Sequence, residues 1–167
     1  MIKTFNSLLV TMFGLGKIKF MPGTFGSLAT TIILFYLFHS FNISSNIILI
    51  VWMVIFIYSF YAISTYTRDS KNKDPGEIII DEFLGQSIPI YLYEISHGIT
   101  KESNEAILFY ALFFILFRYF DIMKPFPVNF FDKNFKNSFG VIMDDIFAGL
   151  YVVLTLVCFM VIKSYVL

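Results

Sequence analysis

Five apolar stretches, at residues 21–41, 46–66, 78–95, 106–120 and 140–162, constrain this chain more than any other feature. A bilayer core is crossed by about 20 helical residues, and a backbone surrounded by hydrocarbon must satisfy its own hydrogen bonds. Composition points the same way: 57% hydrophobic residues, 20% aromatic residues and a mean hydropathy of +0.76 lie outside the ordinary soluble range. The expected fold is all-α, a multi-pass membrane helical bundle of about five apolar helices. The early run MIKTFNSLLVTMFGLG meets no small-residue cleavage site before Lys17 and Lys19, so it reads as a retained, short interfacial helix. The whole chain, 1–167, has the length of a single domain.

The polar remainder is small and unevenly placed. Lys plus Arg equals Asp plus Glu at 12 each, so no net charge draws the chain to nucleic acid. The single cysteine, Cys158, lies inside the last apolar run, which excludes an intrachain disulfide and a thiolate zinc cluster. The cations sort by side. With the N-terminus, the 67–80 loop and the 118–145 region placed at the cytoplasm, that side holds Lys3, Lys17, Lys19, Arg68, Lys71, Lys73, Arg118, Lys124, Lys133 and Lys136, against Lys101 and Lys163 opposite. Ten against two in short loops is the bias of the positive-inside rule. The same assignment turns Asp81, Glu82, Asp121, Asp132, Asp144 and Asp145 toward the cytoplasm, and puts both histidines, His39 and His97, on the far side.

Ionisable residues at the mouths of apolar helices mark function by default. Asp81 and Glu82 open the third run after a turn at Asp74-Pro75-Gly76; a helix N-terminus accommodates one carboxylate better than two, and a metal would compensate both. Arg118, Asp121 and Lys124 follow at intervals of three on one helical face before Pro125 and Pro127 end the helix. A polar connector at 129–138 then leads to Asp144 and Asp145. Asp145 has Gly149 one turn further along its own face, as Asp81 has Gly85, and such small residues permit close helix approach. Met21-Pro22-Gly23-Thr24 opens the first run, with Thr24 expected as N-cap and Gly26 and Ser27 in the first turn, an end whose free amides attract anions. Carboxylates without cysteine or histidine beside them suit a hard cation such as Mg²⁺. The expected centre gathers Asp81, Glu82, Asp121, Asp144 and Asp145 on that ion, with Asp81 and Asp145 as the more direct ligands. Arg118, Lys124, Thr24 and Ser27 are then the candidates for binding phosphate. These residues imply metal-assisted chemistry on a phosphate group and leave open whether phosphoryl or phosphatidyl transfer is performed.

Four blocks, MPGTFGSL, DPGEIIIDEFLGQ, FRYFDIMKPFPVNFFD and GVIMDDIFAG, closely resemble the phosphatidylglycerophosphatase A family over nearly the whole chain. The resemblance implies an all-helical enzyme of the bacterial inner membrane, hydrolysing phosphatidylglycerophosphate to phosphatidylglycerol and inorganic phosphate with Mg²⁺ at a site facing the cytoplasm. Its motifs fall on Asp81 and Glu82, on Arg118, Asp121 and Lys124, and on Asp144 and Asp145. Other classes fit less well. A phosphatidyltransferase of the CDP-alcohol type needs D-G-x-x-A-R, and DDIFAGL lacks its Gly and Arg. A transporter would set its acids along a path near the bilayer midplane rather than at one face, and a purely structural membrane subunit would release no phosphate.

Overall fold

The computed structural model describes residues 2–68, 75–97 and 103–166. The expected turn at Asp74 and the cations Lys71, Lys73 and Lys101 lie outside the described residues. Among the described residues seven α-helices follow one another, α1 (Ile2–Val10), α2 (Pro22–Phe35), α3 (Ser45–Tyr66), α4 (Ile80–His97), α5 (Ser103–Met123), α6 (Val128–Asn134) and α7 (Ser138–Val166), and no strand occurs. A π-helical turn, Tyr36–Ser40, extends α2.

Among the described residues four segments are long and apolar enough to cross a membrane: Pro22–Ser40, Ser45–Tyr66, Glu105–Met123 and Ser138–Tyr165. The expectation was about five. The difference is α4, which carries Asp81, Glu82, Gln86 and Glu94 and packs most extensively against α7 and α2. Hydropathy selects helices that face lipid, whereas a helix enclosed by other helices can remain polar. The lipid-facing character of the others is plain in exposed side chains such as Ile50, Val54 and Ile57 on α3 and Leu108 and Ile115 on α5. Helix α1 exposes Ile2, Phe5 and Leu8 while burying Asn6, whose Oδ1 accepts a 2.8 Å hydrogen bond from the Tyr58 hydroxyl. An amphipathic helix of that kind suits the expected interfacial position.

Two apolar clusters hold the bundle. One joins Leu34, Ile90, Tyr110, Phe113, Phe117 and Val152; the other joins Val10, Ala62, Ile63, Ile79, Leu84 and Ile142. The start of α4 is tied to the N-terminal segment, where the Ile79 N–H donates to the Val10 carbonyl at 2.9 Å and Gly16 lies so close to the Glu77 carbonyl that a side chain would not fit. The stretch from Asp145 to the end of α7 rises roughly 32 Å, close to the thickness of a hydrocarbon core, about 30 Å. That length sets Asp145 at a membrane boundary when the rest of α7 spans. The 129–138 connector is not purely polar. Its first part lies in α6, which starts at the fully buried Val128 and is anchored where Phe131 stacks on Phe147 of α7 with ring centroids 4.8 Å apart. Seven residues are too few to display a helical period in sequence.

The decisive packing contact is Gly85 against Gly149. A Cβ on Gly149 would collide with the Gly85 carbonyl, and one on Gly85 with the Asp145 carbonyl. Without a hydrophobic force between helices in lipid, such backbone approach supplies much of the association through van der Waals contact. Gly149→Leu is therefore expected to destabilise the bundle by about 3 kcal/mol. Gly76→Ala, where a Cβ would meet nothing within 4 Å, should leave stability unchanged. Thermal unfolding in detergent compares the two, and equal midpoints would contradict the packing argument.

Candidate functional site

The contact of α4 with α7 places the acids. Both helices carry the pattern D-x-x-x-G, Asp81 to Gly85 and Asp145 to Gly149. One helical turn before the glycine contact, the two carboxylates therefore come together, and Glu82 joins them. Asp81, Glu82 and Asp145 each offer a carboxylate oxygen, all within 4.8 Å of one another. Asp81 and Asp145 are buried, and the Glu82 side chain is 14% exposed. Glu82 Oε2 and Asp145 Oδ1 are buried with no hydrogen-bond partner among the described residues. Like-charged oxygens gathered away from water are costly unless a cation or proton sits among them. Three hard oxygen donors with two unpartnered buried atoms fit a divalent ion of the Mg²⁺ type.

The other two acids of the expected five face cations. Arg118 Nη1 lies 2.8 Å from Asp121 Oδ2, the i,i+3 pair anticipated on α5, and 4.0 Å from Glu82 Oε1. Arg118 thus connects Asp121 to the three-acid group. Asp144 turns toward Lys124, whose Nζ lies 3.0 Å from Asp144 Oδ2 and 2.9 Å from Asp132 Oδ1. Asp144 Oδ1 also accepts the Asp145 N–H at 3.0 Å. Adjacent helical residues diverge by about 100°, so one member of the Asp144–Asp145 pair reaches the acid cluster while its neighbour reaches the lysine. Burial alone would draw the Lys124 pKa down; the charge of Asp144, and the bonds and charge of Asp132, outweigh it and hold the ammonium above the ordinary lysine range.

Helix α2 closes the site from a third side. Its N-cap is Met21, held at φ 48° with Pro22 following, so Thr24 does not cap the helix as the sequence led us to expect. Proline at the first helical position has a preset φ and loses no bond by lacking an N–H, which moves the helix start ahead of Thr24. The Thr24 N–H bonds to the Met21 carbonyl at 3.0 Å, and its Oγ1 is buried without a partner among the described residues. Ser27 donates to the Gly23 carbonyl at 2.9 Å and accepts from Arg118 Nη1 at 3.3 Å. Arg118 Nε, also buried, has no partner among the described residues. Arg118 thus keeps a spare donor next to the carboxylate cluster, and a guanidinium is a donor type suited to phosphate oxygens.

Sequence reasoning overlooked Gly23, and it set Asp132 among the cytoplasm-facing acids without giving it a partner. Gly23 lies against the site so closely that a Cβ would strike Glu82 Oε1 and approach Arg118 Nη1 to 3.3 Å. Its only sequence signal was the PGT motif, read as a helix start. Asp132 was assigned to the polar connector, although its place in the motif with Lys124 hinted at a pairing once the intervening prolines reversed the chain.

The family described as Phosphatidylglycerophosphatase A matches residues 8–160. A Haemophilus influenzae protein named Phosphatidylglycerophosphatase A is 37% identical over 147 residues, covering 88% of this chain and 83% of that protein. An Escherichia coli protein of the same name is 33% identical over 142 residues, covering 85% and 76% respectively. A Bacteroides thetaiotaomicron protein, named as a candidate phosphatidylinositol-3-phosphatase, is 31% identical over 150 residues and covers 86% of each chain. No solved structure matches the chain.

Gly23→Ala tests the geometry at modest structural cost, because the group it strikes is the end of a flexible side chain. We expect phosphate release to fall by about tenfold or more with the unfolding midpoint nearly unchanged. Normal turnover in that variant would show that the position of Glu82 is immaterial.

Proposed function

The chain belongs to the phosphatidylglycerophosphatase A family and is a phosphatase, and from that premise we propose that it hydrolyses the terminal phosphate of phosphatidylglycerophosphate at the site formed by α2, α4, α5 and α7. The reaction cleaves the P–O bond of a phosphate monoester and adds water, giving phosphatidylglycerol and inorganic phosphate. One observation carries the assignment to this site: three carboxylates within 4.8 Å of one another, Asp81 and Asp145 buried and Glu82 nearly so, with oxygens of Glu82 and Asp145 and one donor of the adjacent Arg118 unpartnered among the described residues.

Asp81, Glu82 and Asp145 would hold Mg²⁺, with Asp121 and Asp144 supporting the site through Arg118 and Lys124. When bound, the ion supplies charge neutralisation and Lewis-acid polarisation at a phosphoryl oxygen. The protein's own groups do the positioning. Arg118 directs guanidinium N–H bonds at phosphoryl oxygens, and its bond to Asp121 fixes the plane of the fork. Ser27 holds Arg118 from the side of α2, and Thr24 offers a hydroxyl to the same phosphate. Lys124 contributes a point charge as negative charge shifts toward the leaving oxygen. Apolar helices around the site leave the acyl chains in the bilayer and bring only the headgroup to the acids.

We place the protein in the bacterial inner membrane with this site facing the cytoplasm. The relatives named above are bacterial, and the ten-to-two distribution of Lys and Arg supports the orientation. A cysteine introduced at exposed position 134, in a Cys158→Ser background, should resist an impermeant maleimide added to intact cells and react after lysis. Labelling from outside would reverse the topology.

Phosphate release from phosphatidylglycerophosphate should require Mg²⁺ and disappear in excess chelator. Asp145→Asn, which keeps shape and removes charge, should lower turnover by about 100-fold with the protein still folded and inserted. Undiminished release in chelator rejects the metal reading. Release from a phosphatidylinositol phosphate, but none from phosphatidylglycerophosphate, would transfer the substrate assignment to the lipid class named for the Bacteroides relative.

A further inference from the structure

We propose that Asp132, on the short helix α6, is a positioning residue that fixes the Lys124 ammonium toward the substrate phosphate; the proposal rests on the reading of Lys124 given above. Lys124 follows the last residue of α5 with a positive φ of 44°, at the start of the turn Lys124-Pro125-Phe126-Pro127 that reverses the chain into α6. That reversal returns Asp132 to the lysine. The ammonium is then held between carboxylates of two different helices, Asp132 Oδ1 at 2.9 Å from α6 and Asp144 Oδ2 at 3.0 Å from α7.

A lysine side chain is a long, flexible stem ending in three donors, and it loses rotamer entropy when fixed. One partner would leave it free to swing about that partner. Two partners on separate helices define its position and leave one N–H uncommitted, which a phosphate oxygen can take. The second partner is itself rigidly mounted. Phe131 stacks on Phe147 of α7, Val128 is fully buried, and the Tyr151 hydroxyl bonds to the Phe126 carbonyl inside the turn. Lys136 Nζ bonds to the Asp132 backbone carbonyl at 2.7 Å and leaves the carboxylate to Lys124. Asp144 could neutralise the lysine without help, so charge balance does not account for Asp132; fixing the ammonium in place does.

The test combines a double-mutant cycle with a readout independent of turnover, using full-length protein in lipid vesicles. Asp132→Asn should lower kcat/KM for phosphatidylglycerophosphate by about tenfold, and Lys124→Met by about 100-fold. If Asp132 acts only through the lysine, adding Asp132→Asn to Lys124→Met should lower it no further. A loss from Asp132→Asn that persists undiminished in the Lys124→Met background, or a Lys124→Met protein as active as wild type, overturns the proposal. Reductive methylation of Lys124 without substrate, read by mass spectrometry, should be several-fold faster in Asp132→Asn than in wild type, and an unchanged rate also overturns it. Asp132→Glu, which keeps the carboxylate, should recover most of the protection and serves if the asparagine variant does not fold. A wild-type protein that releases no phosphate from this lipid defeats the substrate assignment, while the methylation rates still decide the clamp.

Discussion

The site depends on one contact, glycine against glycine where α4 crosses α7. In a bilayer, lipid tails are as apolar as leucine, so helices gain little by hiding apolar faces from one another and associate where small residues allow backbones to touch. Gly85 and Gly149 provide that contact. Because each glycine lies one turn beyond an aspartate, the same contact that packs the helices also draws two remote carboxylates together. Stability and site geometry are thus set by the same pair of residues, and a substitution that opens the helix crossing should disturb both.

Electrostatics determine what surrounds that contact. Three carboxylates in a poorly solvated cluster repel one another strongly, and the protein brings its scarce cations to the rim rather than into the centre. Arg118 meets Asp121 and Glu82 on one side, and Lys124 meets Asp132 and Asp144 on the other. The centre keeps oxygens on Glu82 and Asp145 that have no partner among the described residues. A bundle selected only for stability would pair or delete them, since a well-packed apolar replacement is often no less stable than buried charge. Such oxygens are the donors that the proposed cation would take. Gly23 and Ser27 on α2 belong to the same design, the first by yielding space to Glu82 and the second by bracing Arg118.

Much of this was legible in the sequence because the bilayer imposes lengths and sidedness that residue patterns record directly. Four of the apolar runs became helices long enough to span, and the D-x-x-x-G pairs marked Asp81 and Asp145 as the acids that meet. What escaped depended on the third dimension. Helix α4 is too polar to stand out by hydropathy, since its neighbours, not lipid, enclose its acids. Thr24 has the chemistry of a cap, but Pro22 starts the helix earlier and Met21 takes the terminal position. Gly149 singled out Asp145 from its neighbour Asp144, but no sequence pattern assigned Asp144 its partner, Lys124. Helix α6 was concealed by a run too short for periodicity, and the pairing of Asp132 with Lys124 depends on the chain reversal before it.

The central claim is that Asp81, Glu82 and Asp145 share one divalent cation. Anomalous diffraction from crystals grown with Mn²⁺ in place of Mg²⁺ tests it most directly, because the scattering identifies the ion irrespective of any assumption about turnover. The account predicts a manganese peak with carboxylate oxygens of all three residues in its coordination shell, and loss of that peak in Asp145→Asn. A peak held instead by Asp121, Asp132 or Asp144, or a peak that survives in the Asp145→Asn crystal, would contradict it.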